Sequence, residues 1–234
     1  MLNSNTSDGA GQEGRSPKAV VGLLLGIGAA GLLGFVGLPL LNQLNQLLRL
    51  DTVEGLWYLT RAAGLVAYLL LWLSTVWGLG VAGKAFDPLI NRAFTFDAHK
   101  FILLLAIGFT VLHVGALLAD QYMTISLAQI LIPFVTEYRP LWVGVGIIGA
   151  YLTLLVTVTF YIRRWIGQKT FRAIHLFSLV AYIAVTLHSF FAGTDSTPGS
   201  AKLIYSGSAL VVAILSAHYF VTKRLKKAAP SPAS

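Results

Sequence analysis

The chain contains no cysteine. That excludes disulfides, thiolate metal sites and cysteine-held iron–sulfur clusters. Charge is almost as scarce. Only 11% of the 234 residues are Asp, Glu, Lys or Arg, against about 25% in a typical soluble domain. Acidic residues are fewest, 9 against 17 Lys and Arg. No polar stretch is long enough for an independent soluble domain, which needs at least ~50 residues. The chain is instead 56% apolar, with a mean hydropathy of +0.74.

Roughly 20 apolar residues cross a bilayer, and six such spans are expected: 19–41, 55–80, 98–119, 140–162, 171–192 and 201–221. The expected fold is an all-α membrane protein, a six-helix bundle over residues 19–222. A polar, Gly/Ser-rich segment at 1–18 is expected to be disordered, and residues 223–234 form a basic tail. In the first span Gly22, Gly26, Gly31 and Gly34 suit close helix packing, and Pro39 ends it. The piece at 125–135, broken by Pro133, is too short to cross and is expected on the membrane face. Counting Lys100 and Arg172 at span ends, thirteen of the 17 Lys and Arg fall in the N-terminal segment, the second and fourth loops and the tail. Because basic loops stay inside, both termini are expected in the cytoplasm. The net charge of +8 then reports orientation and requires no nucleic-acid partner.

Four of the five histidines fall as two pairs on two spans, His99 with His113 and His175 with His188. Ionisable side chains inside a membrane are costly and by default mark function. At 1.5 Å rise per residue the separations within the pairs are ~21 and ~20 Å. Both spans run outward from the cytoplasm, so His99 is expected opposite His175 and His113 opposite His188. Two parallel helices with matched rungs suit a flat metal-centred macrocycle at each rung, held by two axial imidazoles. The angular phase is uneven. Fourteen residues return to within ~40° of the same face, whereas thirteen miss by ~140°. The fifth span must therefore contain a tightened turn, or its two histidines approach from different sides. Zinc would need its ligands to converge on one point. A proton relay would need carboxylates between the histidines, and neither span has one there. His218 has no partner at this spacing and reads as interfacial.

These histidines, with Arg61-Ala62-Ala63-Gly64-Leu65 and the run from His188 to Asp195, resemble the ferric reductase-like transmembrane family. It includes ferric reductases, the membrane halves of NADPH oxidases and the heme-binding membrane subunit of bacterial methionine-sulfoxide reductase. The likeness covers about residues 55–222. It implies six helices, two bis-histidine b-type hemes on His99, His113, His175 and His188, and a heme-contacting arginine at Arg61. Electrons would pass from a cytoplasmic-side flavoprotein or quinol to an outer-side acceptor. The expected location is a bacterial-type cytoplasmic membrane.

Many relatives carry a cytoplasmic FAD/NAD(P)H domain. This chain has no dinucleotide fingerprint, so its donor is expected to be a separate molecule and the chain an electron-transfer subunit of an oxidoreductase. For Arg61 a heme propionate is one partner, and snorkelling to the headgroups is the other. Tyr138 and Arg139 could meet outer propionates or anchor the interface, and Lys100, Arg163, Arg164 and Arg172 stand at the inner rung. The rival function is a non-redox six-helix module, a transporter or an assembly subunit of a membrane complex.

Overall fold

The computed structural model describes residues 39, 42–49, 52–83, 91–120, 123–193 and 199–228. The chain divides into two units, Met1–Arg49 and Leu50–Ser234. In the first, residues 42–48 are helical with mostly exposed side chains, and Arg49 ends them at φ 51°. The segment expected to be disordered at 1–18 lies outside the described residues, as does the span expected at 19–41 apart from Pro39.

The second unit is built from helices. They are α1 (Val53–Ala82), α2 (Arg92–Ala119), α3 (Leu127–Leu131), α4 (Pro140–Tyr161), α5 (Arg163–Ile166), α6 (Gln168–His175), α7 (Phe177–Ala192) and α8 (Gly199–Ala228). No strand occurs among the described residues. Five stretches are long and apolar enough to cross a membrane: Glu54–Ala82, Ala93–Ala119, Pro140–Tyr161, Gln168–Ala192 and Ala201–Leu225. These are the second to sixth expected spans, so the described unit is a multi-pass helical membrane bundle. Its outward surface fits that reading. Large apolar side chains such as Val111, Leu154, Ile183 and Leu210 point away from the protein, where a soluble protein would not tolerate a continuous apolar surface.

Local chemistry sets the helix ends. The Thr52 hydroxyl accepts from the Gly55 amide at 3.1 Å and caps α1. Asn91 does the same for α2 through the Ala93 amide at 2.8 Å. That cap starts α2 at Arg92, six residues before the expected span, and shortens the loop expected at 81–97. α3 has a reciprocal capping box between Ser126 and Gln129. Pro140 opens α4, where a missing N–H costs nothing. Gly167, at φ 80°, separates α5 from α6 with a backbone conformation that only glycine adopts easily. α8 continues to Ala228, into the basic segment expected as a tail.

The fifth expected span is two helices. Leu176 interrupts it, with i→i+3 bonds from the Leu176 amide to the Ala173 carbonyl (3.3 Å) and from the Leu179 amide to the Leu176 carbonyl (3.2 Å). A turn of that kind advances about 120° per residue rather than 100°. It supplies part of the rotation that thirteen residues of straight α-helix lack.

Packing divides the bundle into two close pairs, α1 on α2 and α4 on α7, with α1 also meeting α7 and α8. The buried core lies at the waist: Tyr68, Leu71, Ala106, Tyr182 and Val212 are buried together. Ala106 is midway between His99 and His113 on α2. Tyr182 is at the matching level of α7. At the centre the Tyr68 hydroxyl bonds those of Tyr182 (3.2 Å) and Ser208, and Tyr205 packs edge-on to its ring at 4.9 Å. Three helices are thus tied together at one level by groups that would be costly to bury unpaired.

Candidate cofactor site: two histidine rungs

The structure brings the four paired histidines together as two couples. The rings of His99 and His175 have centroids 6.4 Å apart with planes at 74°. Those of His113 and His188 are 6.5 Å apart at 79°. The first member of each pair faces the first of the other, so α2 runs parallel to the α6–α7 segment, with the buried waist between the rungs. Neither couple is in hydrogen-bond contact, and the rings are too far apart to stack.

The spacing has a direct chemical reading. Two imidazoles that bind one metal through Nε2 at about 2.0 Å place their ring centres about 6.3 Å apart. Among the described residues no three His, Cys, Asp or Glu side chains converge on a metal position. A metal held here by two imidazoles must take its remaining ligands from elsewhere, and a porphyrin supplies four in one plane. The residues present fit that group.

Glycines seat three of the four rings. A Cβ on Gly64 would lie 2.9 Å from His113 Nδ1, one on Gly78 would lie 3.1 Å from His99 Cε1, and one on Gly146 would lie 2.4 Å from His188 Nδ1. Gly64 and Gly78 are fourteen residues apart on α1, the same separation as His99 and His113 on the antiparallel α2. Each ring also meets the residue one turn before its glycine. His113 Nδ1 donates to the Thr60 carbonyl at 2.8 Å, and His188 Nδ1 to the Trp142 carbonyl at 3.0 Å. His99 Nδ1 meets the Ser74 hydroxyl at 3.3 Å. A carbonyl only accepts, so the first two rings carry their proton on Nδ1, which leaves Nε2 bare in the neutral imidazole. His175 has no such seat. Its Nδ1 is buried without a hydrogen-bond partner, and Phe171 lies beside the ring at 5.4 Å.

A cavity of about 480 Å³ opens beside the His99 rung, within the range of small-ligand sites. Its walls are largely apolar, including Phe96, Leu103, Phe160 and Phe171, and Lys100, Arg163 and Arg172 also line it. The Arg163 guanidinium lies 4.0 Å over the Phe160 ring and donates to the Phe160 carbonyl at 2.9 Å. Lys100 pairs with Asp97 at 2.6 Å. Arg164 turns aside onto Trp165 at 5.0 Å.

The remaining candidates are placed as follows. Arg61 sits one turn before Gly64, near the His113 rung, with its guanidinium 3.9 Å over the Trp57 ring. Tyr138 donates to the Ala192 carbonyl at 3.0 Å, and Arg139 to the Phe191 carbonyl. Together they finish the C-terminal turn of α7, whose carbonyls have no helical partner. His218 is exposed on α8 and belongs to neither couple. The sequence reading missed all three seats, Thr60 with Gly64, Ser74 with Gly78 and Trp142 with Gly146. For the two on α1 the fourteen-residue interval between Gly64 and Gly78 was the available signal.

Neither a family model, nor a curated protein, nor a solved structure matches this chain.

Proposed function

We propose that this chain is a membrane cytochrome b of the ferric reductase-like kind, an electron-transfer subunit with two bis-histidine hemes. The observation that carries the reading is the pair of ring couples at 6.4 and 6.5 Å, the separation expected of two imidazoles on one iron. His99 and His175 would hold one heme, and His113 and His188 the other. Bound there, the group would supply one-electron exchange.

The chain's own residues do the rest. Carbonyls of α1 and α4 fix the ring tautomers at the His113 rung, and glycines let the helices approach closely enough to do so. The buried waist, with its hydroxyls paired to one another, separates the rungs. Arg61 stands where it can meet an anionic edge at the His113 rung, and Lys100, Arg163 and Arg172 do the same at the His99 rung. The basic residues gather at the His99 end, and the positive-inside bias supports a cytoplasmic position for that end and for both termini. Electrons would then enter from a separate flavoprotein or quinol near His99 and leave near His113 to an outer-side acceptor. A transporter or assembly subunit would draw support from the broken helix at Leu176. That break, however, directly follows His175, at the level of the His99 rung and its basic residues rather than at the buried waist around Tyr182.

Purified protein from heme-replete cells should show b-type bands in a reduced-minus-oxidised spectrum, with two hemes per chain. His99→Ala and His113→Ala should each remove one heme, and His218→Ala none. A colourless chain that also fails to take up added hemin would end the reading.

A further inference from the structure

The two rungs are built unequally. Three rings lie against a helix that offers a glycine and, one turn earlier, an acceptor: Thr60 with Gly64, Ser74 with Gly78, and Trp142 with Gly146. Side chains on a helix lean toward its N-terminus, so a residue without Cβ uncovers the acceptor one turn back. α4 has no glycine after Gly149. The part of α4 that lines the cavity with His175 presents Val156, Thr157 and Phe160 instead. There the ring finds no seat, and its Nδ1 stays unpaired.

His175 differs in a second, independent way. It is the last residue of the eight-residue α6, cut from α7 by the turn at Leu176 and from α5 by Gly167. The other three histidines lie inside long helices packed directly on the helix that seats them.

From this we infer that His175 is the labile ligand of the four, and that the His99/His175 site exchanges its heme while the His113/His188 site retains it. The inference rests on the di-heme reading above. A ligating histidine whose other nitrogen donates to a fixed acceptor is oriented and made more basic, and loss of such a partner typically costs ten- to a hundredfold in metal affinity. Both ligands of the His113 rung have a carbonyl partner. The His99 rung has one ligand on a 3.3 Å hydroxyl contact and one with nothing.

The test is heme withdrawal from the intact, fully loaded protein by excess apomyoglobin in mild detergent. Heme should leave in two equal phases whose rates differ by about tenfold or more. His175→Ala should abolish the fast phase and leave the slow one unchanged. Gly146→Ala, which pushes the His188 ring off its carbonyl, should speed the slow phase alone. A single phase in the unaltered protein, or loss of the slow phase in His175→Ala, would overturn the assignment of lability while leaving the di-heme reading intact. Protein that carries no heme would overturn both.

Discussion

Gly64, Gly78 and Gly146 carry as much of the site as the histidines, because each decides whether an imidazole can lie against the neighbouring backbone. Their tolerance of a methyl group should follow the space around them. An alanine Cβ at Gly146 would come within 2.4 Å of His188 Nδ1 and 2.5 Å of its Cγ, a separation that real atoms do not reach. The ring must move, and the bond to the Trp142 carbonyl goes with it. Overpacking of this kind costs about 1–3 kcal/mol. At Gly64 the approach is 2.9 Å and at Gly78 3.1 Å, so smaller shifts suffice. Gly108 on α2 has nothing within 4 Å, and there alanine should gain up to about 1 kcal/mol of helix propensity. Heme per chain should therefore fall most in Gly146→Ala, less in Gly64→Ala, least in Gly78→Ala, and not at all in Gly108→Ala. Absorbance normalised to protein reads the order, and thermal unfolding of the same samples separates heme loss from general instability.

At the scale of elements, the turn at Leu176 makes α6 a separate carrier for His175. Inserting one alanine after Leu176 should rotate His175 by about 100° and shift it by ~1.5 Å along the helix relative to α7. His188 and its bond to Trp142 lie on the far side of the insertion and keep their register. One heme of two should be lost, and the survivor should disappear when His113→Ala is added. Retention of both hemes would mean that α6 follows the cofactor rather than positioning it. The same segment marks how far sequence carries. Five spans and the pairing of the four histidines are legible because lipid forces long apolar runs and makes each buried imidazole conspicuous. The thirteen-residue interval between His175 and His188 even signals that a straight helix will not serve. Where the tightening falls does not follow, because it depends on the contacts of α6 with α5 and α4. Nor does the Tyr68–Tyr182–Ser208 network, whose members lie on three helices and show no local pattern. Tyr138 and Arg139 look like interfacial anchors from their position, yet they close α7 through carbonyls of residues more than fifty positions away.

The whole bundle has a direction, and the lack of cysteine makes it measurable. α3 stands at the His113 end and α6 at the His99 end, each with exposed residues. Ala128 on α3 and Thr170 on α6 are both exposed, and no native thiol competes with a cysteine placed at either. The cluster of Arg163, Arg164, Lys169 and Arg172 lies at the α6 end, and under the orientation proposed above, from the positive-inside bias, that end would face the cytoplasm. A membrane-impermeant maleimide should therefore label Ala128→Cys in sealed right-side-out vesicles and reach Thr170→Cys only after the vesicles are opened. Both substitutions avoid the rungs, so heme content should be unchanged and certifies that the labelled protein is folded. The reverse pattern would invert the bundle. It would put the site we assign to the cytoplasmic donor on the outer face, and with it the cavity lined by Lys100, Arg163 and Arg172. The expected pattern sets the His99 rung, the weaker of the two seats, on the side where reducing equivalents are made. Electrons would then cross the ~21 Å between rungs through the buried waist built around Tyr68 and Tyr182.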